Sequence, residues 1–238
     1  MAQHQIQTVS ERSHNFNLDM AAKGVSDILT SANKKHGFIG GYAASLLGGT
    51  RMTNDVDVIV GDDAKEIREL LLRADQRFFM SQGNKLKYKV EAVSEASPDV
   101  EIIVELLQGG ANMPLKLPDA RNVPLIQVNP SEVGEDRLNC EVPLIHPAVL
   151  VLTKIKRWMY IAESTRPASI KKAINDEHDI EALLKWLQER NVKIEFSWYP
   201  EKPKGELLPG LQLLLQRGPS FHDLLKRTLH PEDFQAIL

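Results

Sequence analysis

The residues with the most chemical content lie between Phe38 and Val60, in the run FIGGYAASLLGGTRMTNDVDVIV. Gly40-Gly41 separates Phe38-Ile39, which reads as a short strand, from a helical stretch over Tyr42 to Leu47. Such a turn lets backbone N–H groups come close to an anion. Asp55-Val56-Asp57 follows, inside a strand predicted over Asn54 to Val60. Alternate residues of a strand share a face, roughly 6–7 Å apart at the backbone. Asp55 and Asp57 therefore converge on one spot, while Val56, Val58, Ile59 and Val60 anchor the strand in a core. Two carboxylates beside a phosphate-binding turn suit oxygen-ligated Mg²⁺ (or Mn²⁺) carrying a nucleoside triphosphate such as ATP.

A third carboxylate is expected from a neighbouring strand. Val100 to Leu107 is almost entirely apolar apart from Glu101 and Glu105. An ionised group in such a run is costly unless a partner or a metal meets it. Glu101 is taken as the third member, so that Asp55, Asp57 and Glu101 form the expected catalytic and metal-ligating set. Asp99 and Glu105 are its rivals. Arg51, just before the Asp pair, and Lys85 and Lys87, on the polar side of an alternating strand Lys85 to Val90, are candidate phosphate contacts.

This pattern resembles the DNA polymerase β-like nucleotidyltransferase superfamily, whose signature is a hydrophobic residue, Gly, then Gly or Ser, a spacer, and Asp-hydrophobic-Asp. The matching residues are Ile39, Gly40, Gly41, Asp55, Val56 and Asp57, with Glu101 as the later acid. The likeness is to small stand-alone members, including nucleotidyl transferase toxins of bacterial defence systems. Those often read GG-x-A-A, then R-x-T-x-D-h-D with h hydrophobic, as Gly40 to Ala44, Arg51, Thr53, Asp55 and Asp57 do here. Many members carry Gly-Ser where this chain has Gly-Gly. Ser45, one helical turn on, is the hydroxyl that could substitute, and Thr53 joins the nucleotide-binding set through the motif. His146-Pro147 to Lys154, and Asp176 to Leu184, resemble the later helices of such proteins. The resemblance spans roughly residues 18 to 190. It implies a nucleotidyltransferase fold of the α/β (α+β) kind, with a mixed sheet and a C-terminal helical subdomain.

Other elements must hold these residues in place. Residues 1–16 read as a flexible polar arm. Leu18, Ala21, Ala22, Val25, Ile28, Leu29 and Ala32 recur at helical spacing. Asp63 with Glu66 makes an N-cap and capping-box pattern for a helix carrying Ile67, Leu70, Leu71 and Ala74. Val123 to Val128 and Leu138 to Ile145 read as short strands. From His146-Pro147 onward the pattern is helical. Ala148 to Ile161 forms one helix. Ser169 to Arg190 forms a longer one, with Ile170, Ala173, Ile180, Leu183, Leu184 and Leu187 as its apolar stripe. Shorter helices fall over Leu207 to Leu215, Phe221 to Leu229 and Pro231 to Ile237. The expected organisation is a core over residues 17–145 and a helical subdomain over 146–238, with Lys154 and Asp179 pairing between helices.

The 238 residues are 42% hydrophobic and 26% charged, which excludes a wholly disordered chain and a small disulfide scaffold. Lys plus Arg is 29 and Asp plus Glu is 32, for a net charge of -3. Nucleic acid as a partner is possible but not favoured by that balance. Cys140 is the only cysteine, so an intrachain disulfide and a multi-cysteine zinc site are both excluded. A reducing compartment, the cytoplasm, fits. Met1 to Asn17 lacks an apolar core, so no secretory leader is expected, and no run is long enough to span a membrane.

The expected function is metal-dependent transfer of an NMP from an NTP to an acceptor hydroxyl. The acceptor is open between a small molecule, a protein and an RNA. The alternative is a binding or regulatory module on the same fold whose chemistry has decayed.

Overall fold

The computed structural model describes residues 2–91 and 99–238, and within the first helix the side chains from His14 onward. The helix α1 spans Ala2–Ser31. The stretch read as a polar arm is thus the first half of this helix; it contains no Gly or Pro to stop a helix before Gly24. Strands β1 (His36–Ile39), β2 (Asp55–Val60), β3 (Phe78–Met80), β4 (Leu86–Val90), β5 (Val100–Gln108), β6 (Leu125–Val128) and β7 (Val142–Ile145) form one sheet. Their order across it is β3-β4-β5-β2-β1-β7-β6. The sheet is mixed: β2 runs parallel to β5 and β1 parallel to β7, while β1–β2, β3–β4, β4–β5 and β6–β7 are antiparallel.

Short helices α2 (Gly40–Leu46) and α3 (Ala64–Ala74) connect the early strands. The capping pattern at Asp63 is realised: its carboxylate accepts from the Lys65 and Glu66 N–H groups at 2.9 and 3.1 Å. Beyond β7 the described chain is helical: α4 (Pro147–Trp158), α5 (Pro167–Glu189), α6 (Lys204–Leu215), α7 (Pro219–Thr228) and α8 (Pro231–Gln235). The boundary expected at residue 146 therefore falls between the last strand and α4. His146 caps α4, its Nδ1 accepting from the Ala148 N–H at 3.2 Å, and Pro147 occupies the first turn, where a missing N–H costs nothing. Among the described residues, no helix is long and apolar enough to cross a membrane.

The core follows the periodicities. Leu18, Ala21, Ala22, Val25 and Leu29 of α1 are fully buried, as are Val56, Val58 and Ile59 of β2. Ile180, Leu183, Leu184 and Leu187 of α5 are buried, but Ile170, placed in that stripe by spacing, is 42% exposed because it lies in the first turn of α5, away from the packed part of the helix. The first half of the chain is pinned by Asp19, which is fully buried. Its carboxylate accepts from the Tyr42 hydroxyl at 3.0 Å, from Arg137 Nε and Nη2 at 3.1 and 2.8 Å, and from the Leu138 N–H at 3.2 Å. A buried charge is tolerable only when paired and hydrogen-bonded in this way. It ties α1, α2 and the loop before β7 together.

Candidate active site

The sheet register decides which carboxylates meet. Asp55 lies opposite Ile103 and Asp57 opposite Glu105 on the parallel neighbour β5. Paired residues share a face, so Asp55, Asp57 and Glu105 point the same way. Glu101 is also on that face, but four residues before Glu105, about 13 Å back along the strand. There it sits across from Lys89 in β4, and its carboxylate accepts from Lys87 Nζ at 2.7 Å. Asp99 is ion-paired with Lys89 at 2.7 Å. Glu105, the third residue on the face and a rival in the sequence, is therefore the acid beside Asp57. Lys87 lies on the same face, in line with Ile103 and Asp55, but its ammonium is occupied by Glu101.

Gly40 and Gly41 have a second purpose here. Gly40 has φ +73, and a Cβ on it would lie 1.7 Å from the Asp57 Oδ2. The glycine is what lets the end of β1 pass over the Asp57 carboxylate. A Cβ on Gly41 would meet the Arg51 Nη2 and the Thr53 Oγ1, each at 2.6 Å. The space a serine would take is filled by the Thr53 hydroxyl, which donates to Asp55 Oδ1 at 2.7 Å. The Gly-Gly sequence thus goes with a buried Thr53 that orients Asp55. Gly40→Ala is expected to cost about 1–3 kcal/mol from the left-handed backbone alone, with a further loss as Asp57 is displaced. Urea denaturation of the variant measures it, and a cost below 0.5 kcal/mol, on the order of an ordinary surface change, would show that the turn relaxes freely.

Asp57 is the perturbed group. Burial, then the Asp55 and Glu105 charges, push its carboxyl up to about 7, against a smaller opposing pull from Lys154 and Arg157. Those two cations belong to an ion-pair network between α4 and α5 in which Lys154 and both acids are buried and Arg157 is exposed. Asp179, 1% exposed in its side chain, accepts Arg51 Nε and Nη2 at 2.8 Å each and Lys154 Nζ at 2.5 Å. Asp176 accepts Arg157 Nε at 2.8 Å and also pairs with Arg157 Nη2, with Lys154 at 3.7 Å. The pairing of Lys154 with Asp179 is as the sequence suggested. Arg51 is more than a phosphate candidate: its fork is spent on Asp179, and it links the Gly41 turn to α5.

Asp57, Glu105, Lys154 and Arg157 line one cleft of about 580 Å³, with Gly40 at its wall. Lys116, Lys156 and Lys172 also reach it. Lys156 Nζ donates to the Lys116 carbonyl at 3.1 Å and to that of Leu115. Burial, followed by the nearby Lys202 and Arg157 charges, lowers its pKa to about 8. Composition and spacing carried no sign of this cationic wall, because its members come from a loop and two helices far apart in the chain. Tyr160 and Leu115, 70% and 59% exposed, stand at the rim.

The remaining candidates lie elsewhere. Ser45 donates to the Tyr42 carbonyl at 2.7 Å and faces a different cleft, lined by Gly48 to Met52 and Val133 to Arg137. Lys85 is exposed near Glu105, in a third cleft. Among the described residues, no three His, Cys, Asp or Glu side chains are drawn together tightly enough to enclose an ion. Asp57 and Glu105 make no hydrogen bond or ion pair among those residues. Asp55 and Asp57, beside Glu105 on one face, offer hard oxygen donors of the kind that fits Mg²⁺, which is commonly held by one or two carboxylates plus substrate phosphates.

The whole arrangement can be compared with solved structures. An antigenic nucleotidyltransferase-like protein from Paracoccidioides brasiliensis superposes with a TM-score of 0.65 at 21% identity, over 89% of this chain and 91% of that one. The chain has a nucleotidyltransferase-like fold. The antibiotic-resistance factor ANT(2'')-Ia aligns over 74% of this chain and 94% of that one, at 10% identity and a TM-score of 0.39, a likeness too slight to carry weight. No protein-family profile matches the sequence, and comparison with curated proteins finds no match. The nucleotidyltransferase-like fold at this degree of identity supports the architecture expected from Gly40-Gly41 and Asp55-Val56-Asp57.

Proposed function

We propose that the chain is a metal-dependent nucleotidyltransferase that moves an NMP from an NTP to an acceptor hydroxyl. The observation that carries this reading is Asp57, its carboxyl raised by burial and then by the Asp55 and Glu105 charges, lining one cleft with Glu105 and a cationic wall. A triphosphate would add anions to the wall, where Lys154 and Arg157 already pair with Asp179 and Asp176 while Lys116, Lys156 and Lys172 form no ion pair among the described residues. Mg²⁺ would supply a cation to the carboxylates. Asp55 and Asp57 would hold the metal. When bound, it would neutralise charge on the phosphates and on the carboxylates beside them.

The chain's own residues do the rest. Lys154, Arg157, Lys156 and Lys116 bind the phosphates, and Arg51 with Asp179 keeps the α4–α5 wall at a fixed distance from the Gly40 turn. Thr53 fixes the rotamer of Asp55. Tyr160 and Leu115 offer an apolar surface on which a base can lie. The acceptor oxygen forms a bond to the α-phosphorus as the bond to the bridging oxygen breaks. Pyrophosphate leaves with the electron pair, and Glu105 accepts the hydroxyl proton.

Melting the wild-type chain with each of the four NTPs and Mg²⁺ tests the reading. At about 100 times Kd, a ligand that binds only the folded state stabilises by roughly 2.7 kcal/mol, or about 5–10 °C for a chain of this size. Labelling of an acceptor in a cell extract by an α-labelled NTP is the companion result. A shift without labelling would favour the binding-module alternative; no shift with any NTP would refute nucleotide binding.

A further inference from the structure

Glu105 lines two clefts. On one side is the cationic wall described above. On the other is a cleft of about 310 Å³, bounded by Lys65 and Arg68 of α3, Asn84 and Lys85 of the β3–β4 turn, and residues 103–107 of β5. It exists because β4 begins only at Leu86, so that β5 runs on past the end of its partner and leaves its edge open beside Glu105. Lys65, Arg68 and Lys85 form no ion pair among the described residues. Lys65 and Lys85 are exposed and Arg68 is half-buried.

We propose that this second cleft seats the acceptor, and that the acceptor bears phosphate. The proposal rests on the nucleotidyl-transfer reading and names its second substrate. An NTP in the larger cleft already has a cationic wall of its own, so the three cations here are left for another anion. Phosphate oxygens satisfy such a cluster through charge-assisted hydrogen bonds. A neutral acceptor would gain no charge pairing from it, and a cationic one would be repelled by it. An acceptor held here lies beside Glu105, which can take the proton of its hydroxyl as that oxygen attacks the α-phosphorus in line with the departing pyrophosphate. The new O–P bond forms as pyrophosphate departs, and the proton passes to Glu105. A cleft this small holds a sugar-phosphate unit, which a phosphorylated small molecule or the end of an RNA can supply.

The test uses the full chain and three probes: a short fluorescent single-stranded RNA, glucose 6-phosphate, and glucose. The variant is Lys65→Ala, Arg68→Ala, Lys85→Ala combined; these side chains lie outside the buried core. At least one phosphate-bearing probe is expected to bind wild type, more weakly as salt rises, while glucose does not. The triple variant should lose at least about tenfold in that affinity and keep the wild-type melting shift with ATP and Mg²⁺. Binding of RNA alone identifies a nucleic-acid end, and binding of glucose 6-phosphate a small substrate. Failure of both probes to bind wild type, or equal binding by the variant, overturns the proposal. A wild type with no ATP shift loses the nucleotidyl-transfer reading itself, and this proposal with it.

Discussion

Asp57→Asn is expected to abolish nucleotidyl transfer while making the unliganded chain more stable above pH 7. The carboxyl is raised from 3.8 to about 7. Between these values the folded chain keeps a proton that the unfolded chain has released. Stability therefore falls as pH climbs through that window and is lowest above it. About three pKa units correspond to at most ~4 kcal/mol, and water reaching the cleft side of the carboxyl screens part of this. The expected gain for the amide at pH 8 is about 1–3 kcal/mol, or roughly 2–12 °C, with a flatter pH profile between 4 and 7. Activity should fall by at least about 10²–10³-fold, because an amide carries no charge to place against the reacting phosphate and its metal. Thermal melting across pH and an NTP-labelling assay read the two effects separately. A variant that melts below wild type at pH 8, or that labels its acceptor within about tenfold of the wild-type rate, would contradict the assignment.

Asp179→Ala should be the most damaging change to stability away from the carboxylates. It removes the shared partner of Arg51 and Lys154 and leaves two cations facing a buried pocket. Breaking a buried pair from one side costs about 3–5 kcal/mol, a drop of roughly 6–20 °C for a chain of this length. Asp179→Asn keeps the hydrogen-bond acceptor on one side and should cost less. Since Arg51 packs at the Gly41 turn and Lys154 acts on Asp57, Asp179→Ala should also weaken NTP binding; Asp179 is a positioning residue. Chemical denaturation gives the first number and the NTP melting shift the second. A loss under about 1 kcal/mol would place this network among exposed ion pairs of little worth.

Some features were legible because their cause is local. The Asp63 cap needs only one side chain and the two N–H groups that follow it. His146-Pro147 opens α4 for the same kind of reason. The stripe Leu18 to Leu29 and the alternation in β4 report which face meets the core. Strand β3 was not read from the sequence: three residues are too few to show a period, and Phe78 is held by its pairing with Tyr88 across the β3–β4 hairpin. The first half of α1 has the polarity of an arm, and only the absence of a helix breaker before Gly24 speaks for a helix.

The sequence by itself determined that Asp55 and Asp57 share a face, that two glycines precede them at a strand–helix turn, and that helices follow residue 146. Those are consequences of backbone period and of the few residues that interrupt it. Only the tertiary structure decided that Glu105, and not Glu101, stands beside Asp57. Both acids have the same parity on β5, and period alone cannot separate them; the offset between two parallel strands joined by a long connection is set by packing of the whole sheet. The same holds for Arg51, whose partner Asp179 is 128 residues away, and for the cationic wall. A charge's partner is a matter of distance in space, and the chain order carries no measure of it until the helices dock.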